Sequence, residues 1–508
     1  MDNRGGRRVE LELTRETLRF ERLAARGEEQ VTIEGEATLP GSMRDAVTVL
    51  SVRAQAHITS MQAGSGEAAV RGRVCFQVLY TQGDLTRIRA LETNCDFTHV
   101  TPLDGVTPVM RLHASVCVQE TEGTASSGRM MLRALLSVSI EAFEAVEREL
   151  IASARDLSHA ENLQTRTQSI SFCSRERLGE GRTLSREEFD LPQRLGAGEV
   201  LSASACAGPS DFSGGSGRLN VSGVVEVRVV HRAKEQGEPL VTTVHELPYE
   251  LSIDAQLEPG MQPQAIVEVI DVMADSVESE KGRTLRVEAE VKAEIWACRQ
   301  QEAQLLEDLY SLSGPALQAK TETLSVHACE KRSDVRESMR LQVSLPGNAP
   351  PIGTMLAAFA QPTISAASPS GRRLDAEGIL CVTLIYLPMD SDIPCAVRTR
   401  EPFTMTFPME ASGDVQARAQ VIEVLPGPAT SDRVELRCVL LLHVTEHGVS
   451  TVKGVLGVEQ MPQEQPTHGF VLVWPAAGES RWDTARRLRV TQDSLMPAGK
   501  GALLAFRK

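Results

Sequence analysis

The stretch Val70–Tyr80, VRGRVCFQVLY, carries a glycine in third place and then sets apolar residues at every second position up to a closing tyrosine. A period of two over a run rich in β-branched residues marks a strand with one buried face. The pattern returns at Val221–His231, VSGVVEVRVVH, and at Ala376–Tyr386, AEGILCVTLIY, with Gly72, Gly223 and Gly378 in the same place. About thirty residues upstream of each stands a Leu-Pro pair, Leu39-Pro40, Leu191-Pro192 and Leu345-Pro346, spaced by about 153 residues. Downstream comes an aromatic strand, CDFTHV at Phe97, LPYELS at Tyr249 and EPFTMTF at Phe403, followed by a strand opened by Arg129, Arg283 or Arg433. Leu163-Gln164 with Thr167 matches Leu317-Gln318 with Thr321, so the connecting segments keep step as well.

Three units of about 150 residues are too long for a solenoid repeat and read as tandem copies of one domain. Within each copy, strands are separated by turn-rich breaks such as GSGE, SGGSG and SPSG. The expected fold is mainly β: three tandem β-sandwich-like or open-barrel domains over residues 1–150, 151–304 and 305–457. A short helix is expected after the Leu-Pro pair, in MRDAVTVLSVRAQA or IGTMLAAFAQ. The Gly-rich stretches at Gly64 and Gly214 share a phase of the repeat and lack a following Lys-Ser/Thr. They read as hairpin turns, not phosphate cradles.

Composition narrows the function. Of 508 residues 42% are hydrophobic and only 4% aromatic, so the cores are built from Val, Leu, Ile and Ala. The net charge of −15 argues against nucleic acid as a partner. That charge is uneven: residues 470–508 carry +4 and the rest −19. The opening MDNRGGRRVELELTRE has no apolar signal core and no run of about 18 apolar residues occurs, so a cytoplasmic chain without a transmembrane segment is expected. The ten cysteines include no C-x-x-C pair and read as reduced core residues. His443 and His447 lie on a strand pattern, where four residues span about 13 Å, too far for one metal ion. His231 stands where the other copies have Tyr80 and Tyr386 and reads as a strand-end filler. No phased carboxylate pair recurs among the copies, and no enzyme activity, metal or cofactor is expected.

The last forty residues differ. EQMPQEQPTH reads as a linker over 458–467, and 468–508 as a separate module. FVLVW is a strand ended by Pro475. Ser480 and Asp483 make a capping box, and Trp482, Ala485 and Leu488 share one helix face. Thr491 or Asp493 caps a second short helix, and ALLAF closes as a strand. Trp482 is expected in the core, whereas Trp474, Arg486, Arg487 and Arg489 are the candidate partner contacts, the arginines as carboxylate-pairing groups.

This βααβ module resembles a LysM domain in Gly478, Glu479, Ser480, Trp482, Thr484 and Ala485, in Val490-Thr491 with Leu495, and in GKGALLAF. Glu479 replaces the usual Asp, Arg481 stands where an apolar residue is usual, and the second half is shortened. The resemblance implies a glycan groove with one wall abbreviated, which favours a protein partner over a sugar. The long repeats resemble SPOCS domains, and SPOCS repeats followed by LysM is the layout of SipL-type spore-coat assembly proteins. That resemblance implies a mother-cell protein at the forespore outer surface that helps anchor the coat basement layer by binding a morphogenetic ATPase. Two alternatives stay open: a binder of peptidoglycan or other N-acetylated glycan in the spore envelope, and a self-assembling coat protein whose strand edges add to a neighbour's sheet.

Overall fold

The computed structural model describes residues 9–40, 46–83, 85–158, 162–191, 197–215, 217–233, 240–279, 282–410, 414–461, 469–499 and 501–507. It is almost entirely antiparallel β. The first repeat contains β1 (Leu11–Thr38), β2 (Val47–Ala63), β3 (Glu67–Gln82), β4 (Ile88–Pro102), β5 (Arg111–Ser126) and β6 (Arg129–Asp156). The second has β7 (Leu163–Asp190), β8 (Ala197–Gly215), β9 (Arg218–Ala233), β10 (Leu240–Ile253), β11 (Met261–Ser279) and β12 (Gly282–Ser311). The third has β13 (Ala316–Ser344), β14 (Ile352–Ser370), β15 (Arg373–Pro388), β16 (Cys395–Phe407), β17 (Asp414–Ala429) and β18 (Arg433–Met461). Each repeat folds into two three-stranded sheets of the same order, β1-β6-β5 with β2-β3-β4 and their counterparts. One continuous apolar core fills the space between the two sheets of each repeat.

The recurrent glycines have a packing cause. Gly72 pairs with Phe97, Gly223 with Tyr249 and Gly378 with Phe403 across neighbouring strands. A Cβ on Gly72 would lie 2.5 Å from the Phe97 ring, and one on Gly223 2.6 Å from the Tyr249 hydroxyl. The aromatic ring covers the glycine, so the two sequence motifs recur as a pair. Leu39-Pro40 and Leu345-Pro346 sit where the first long strand of their repeat ends: Leu39 is buried and donates its N–H to Gly128 O, and Leu345 donates to Asp432 O. A proline next in line cannot donate to the ladder. Of the segments in which a short helix was expected, the first forms β2 from Val47 onward, its residues 43–45 lying outside the described residues, and the second forms β14. Their β-branched residues pack well on a pleated face, and pairing with β3 and β15 supplies the backbone hydrogen bonds. The turns at the Gly-rich stretches are hairpin turns, with Gly66, Gly217 and Gly371 at positive φ.

β1, β6 and their counterparts run 28 to 30 residues and outreach the sandwich. Positions 150, 304 and 457 therefore lie within β6, β12 and β18, and the chain turns between repeats after Asp156 and Ser311. The expected linker at 458–467 is strand as far as Met461, and 462–468 lie outside the described residues.

The projecting ribbons bind the repeats together. Leu18 and Phe20, Ile170 and Phe172, and Leu324 and Val326 occupy equivalent positions and meet in one buried cluster with Leu150, Leu305 and Val452. A second shared cluster takes Leu79, Val230 and Ile385, which are equivalent residues of β3, β9 and β15. Between repeats, β4 touches β8, β10 touches β14 and β16 touches β2. This is one head-to-tail interface used three times, and it closes. The chain is thus a ring of three six-stranded units of one sheet topology around a pseudo-threefold axis. Hydrogen bonds cross every joint, including Gln77 to Ala203 O, Arg336 to Glu226 and Gln361 to Val118 O.

Among the described residues no helix is long and apolar enough to cross a membrane.

Candidate functional site

The C-terminal module comprises β19 (Gly469–Val473), α1 (Arg481–Leu488), a 3-10 turn at Gln492–Ser494, β20 (Met496–Gly499) and β21 (Ala502–Arg507). The sheet order is β19-β21-β20. Where a second short helix was expected there is one 3-10 turn preceded by Thr491, and a further strand, β20, follows it. Three residues of helix are all that the thirteen residues between α1 and β21 leave once Leu495 and β20 have been placed.

α1 begins as its residues dictate. Ser480 Oγ accepts the Asp483 N–H, and the Asp483 carboxylate accepts the Ser480 N–H, so two orphan donors are satisfied reciprocally. The Ser480 hydroxyl and the Ser480 N–H, both donating to the Asp483 carboxylate, hold that carboxyl below its ordinary pKa. Gly478 has φ +83°, which sets up the turn into the cap. Trp482, Ala485 and Leu488 face inward with Val473, Val490, Leu495 and Ala505.

That core is completed from outside the module. Tyr310, near the end of β12, lies in the same cluster, with its ring edge-on to Trp482 at 5.0 Å. Its hydroxyl donates to Val490 O at 2.8 Å, and burial pushes its pKa up to about 12. Trp482 Nε1 donates to Asp308 Oδ2 at 2.8 Å, and Arg486 Nη1 donates to the same oxygen at 2.9 Å. Arg489 takes a left-handed conformation at the helix C-cap, and its guanidinium donates to Ser311 O, Ser311 Oγ and Gly314 O. Arg487 pairs with Glu479 within the module, which lowers the pKa of Glu479. The three arginines expected at a partner surface are therefore all engaged within the chain, two of them in docking the module onto the ring.

Trp474 is placed differently: it is 62% exposed. It continues an apolar sheet face. Phe470, 73% exposed, sits opposite Phe506 in register with ring centroids 4.9 Å apart, and Leu472 sits opposite Leu504. Met496, also opposite Leu504, is exposed on β20. Alternate residues Val471, Val473 and Leu503 pack inward with α1, so the sheet has one face on its core and an apolar face outward. The alternation in GFVLV contained this second face, but Phe470 and Leu472 read from sequence as ordinary strand residues. Asp308 and Tyr310 carried no signal, since their partners lie more than 170 residues away.

His443 and His447 lie on β18 as strand residues; His443 Nδ1 is 2.8 Å from Asp334 Oδ1, and His447 is buried near Glu141. Among the described residues no group of three or more His, Cys, Asp or Glu is arranged to hold a metal ion. His231 is fully buried, like Tyr80 and Tyr386 in the other copies. Cys75, Cys95, Cys117, Cys206, Cys381, Cys395 and Cys438 are free thiols.

The family model for the SipL, SPOCS domain matches residues 45–124. The matched segment is β2 to β4 and most of β5 of the first repeat. It supports a SipL-type family and a sporulation-related role. No curated protein and no solved structure matches the chain.

Proposed function

We propose that this chain is a non-enzymatic spore morphogenesis protein. In this reading it works on the mother-cell side of the forespore surface and helps anchor the coat basement layer by binding a morphogenetic ATPase. The ring of three SPOCS-like repeats is the scaffold, and the LysM-like module is the binding tip. The observation that carries the reading is the outward sheet face of that module. Phe470, Leu472, Trp474, Met496 and Phe506 are all exposed. Such a contiguous aromatic and aliphatic patch is what a protein interface core requires. Because Arg486 and Arg489 hold the module to the ring, the patch is presented at a fixed orientation and little ordering entropy is lost on binding.

The test is affinity capture from sporulating cells with the full chain and with a Phe470→Ser/Trp474→Ser variant. An ATPase recovered with the first and lost with the second supports the reading, provided that both unfold at the same temperature. Equal recovery moves the contact to the repeats. Sedimentation with purified peptidoglycan that needs Trp474 would replace the protein partner with a glycan.

A further inference from the structure

A cavity of about 530 Å³ lies on the pseudo-threefold axis. Equivalent strands from all three repeats line it: β2, β8 and β14 on one side, and β5, β11 and β17 on the other. Its charged residues are not equivalent. Arg53 on β2 pairs in register with Gln77, Ser204 on β8 with Arg228, and Phe359 on β14 with Thr383. At the position of Arg53 the other copies thus carry Ser204 and Phe359, and at that of Arg228 they carry Gln77 and Thr383. Each repeat has contributed a different residue to one place. The Arg53 guanidinium lies 4.4 Å and that of Arg228 5.8 Å from the centre of the Phe359 ring. Arg418 of the third repeat lines the same cavity.

No carboxylate acts on Arg228, whereas Glu92 lies near Arg53 and Glu141 and Glu268 lie near Arg418. Arg228 is only 7% exposed, and its Nε and Nη1 have no hydrogen-bond partner. Arg53 Nη2 donates to Gln77 and Ser202, but its Nε has no partner. Three of the four carboxylates on the cavity wall are held by other groups: Glu226 by Arg336, Glu141 by Arg26, and Asp334 by His443. The fourth, Glu268, lies near Lys292 and Arg418, and burial raises its pKa. Burial likewise lowers the pKa of Arg53, to about 9, and of Arg228 and Arg418. Leaving guanidinium groups buried without an anion is costly, and an oxyanion accepting their N–H groups removes that cost.

We propose that the axial cavity binds a small multivalent oxyanion, bearing phosphate or carboxylate groups, between Arg53 of the first repeat and Arg228 of the second, with Arg418 of the third completing the site. Its volume falls within the range of sites for small molecules. The ligand would bridge the three repeats and so couple its binding to closure of the ring. This site is independent of the C-terminal sheet face.

The test is isothermal titration and thermal unfolding of the full chain with pyrophosphate and, separately, with citrate, at ionic strength matched with sodium chloride. Saturable binding and a rise in Tm are expected for at least one, and the preferred anion tells phosphate from carboxylate. Arg228→Gln and Arg53→Gln should each weaken binding by about tenfold or more. If Arg228→Gln does not fold, Arg53→Lys serves: it keeps the charge, loses the planar fork, and should still weaken binding. Absence of saturable binding by both anions overturns the proposal, as does an affinity that the folded variants leave unchanged.

Discussion

Replacing Asp308 with alanine should free the C-terminal module from the ring while leaving the ring intact. The Asp308 carboxylate is buried and accepts two side-chain hydrogen bonds from the module, from Trp482 Nε1 and Arg486 Nη1. Its loss strands the Trp482 N–H inside a closed cluster, which costs about 1–3 kcal/mol. The Arg486 side chain is 40% exposed, so screening by solvent reduces its share to about 1 kcal/mol. Together these amount to about 2–4 kcal/mol, or a rise of about 30- to 1000-fold in the population of the undocked module. Asp308→Asn keeps an acceptor for the indole and should lose about 1 kcal/mol. Hydrogen–deuterium exchange read peptide by peptide is the assay. Exchange over Arg481–Leu488 should accelerate in Asp308→Ala, less so in Asp308→Asn, while the peptides of β3, β9 and β15 keep their protection. Unchanged exchange in α1 would refute the docking argument. Uniform acceleration through all sheets would also refute it, since Asp308 would then be a support of the ring.

Three further outcomes follow from the packing. Gly378→Ala should destabilise the third repeat by about 1–3 kcal/mol, because its Cβ would meet the Phe403 ring at 2.9 Å and the Thr363 carbonyl; a chemical denaturation curve reads this, and Phe403→Leu in the same chain should restore only part of it. Trp296→Ala should cost about 3–5 kcal/mol, since the buried indole lies beneath the guanidinium groups of Arg111 and Arg175 at 4.5 and 4.3 Å and ties the second repeat to the first; a fall in Tm without loss of the cooperative transition is expected. Burial lowers the pKa of His57, His231 and His245 from 6.5, so the unfolded chain binds more protons and stability should fall as pH drops through 6.5 toward the folded values. His231→Tyr, which installs the residue of the other two copies, should flatten that slope in unfolding curves taken between pH 5 and pH 7.5.

The strand faces, the three copies and the recurrence of the glycine and the aromatic positions were legible in sequence because each is local or recurs; that the two pair across neighbouring strands was not. Val70–Tyr80 states which side chains point inward, and its two echoes state that the same sandwich is built three times. Reading the segment from Val47 as helical failed because VTVLSV has no strict period, and pairing with β3 decides its conformation. The capping box of Ser480 and Asp483 was legible for the same reason: its partners are three residues apart.

A period of two says that Leu18, Ile170 and Leu324 are buried, but not that they are buried against each other. That depends on the angle at which one repeat's edge meets the next, and on the closing of this interface after three steps. The same closure brings Arg53, Arg228 and Phe359 together from three repeats, and sets Asp308 beneath Trp482. Short-range pattern thus determined the inward faces of strands such as Val70–Tyr80 and their threefold recurrence. The partners of those faces, and with them the axial cavity and the orientation of the exposed Trp474 surface, were decided by tertiary geometry, because side-chain chemistry specifies burial without specifying against what.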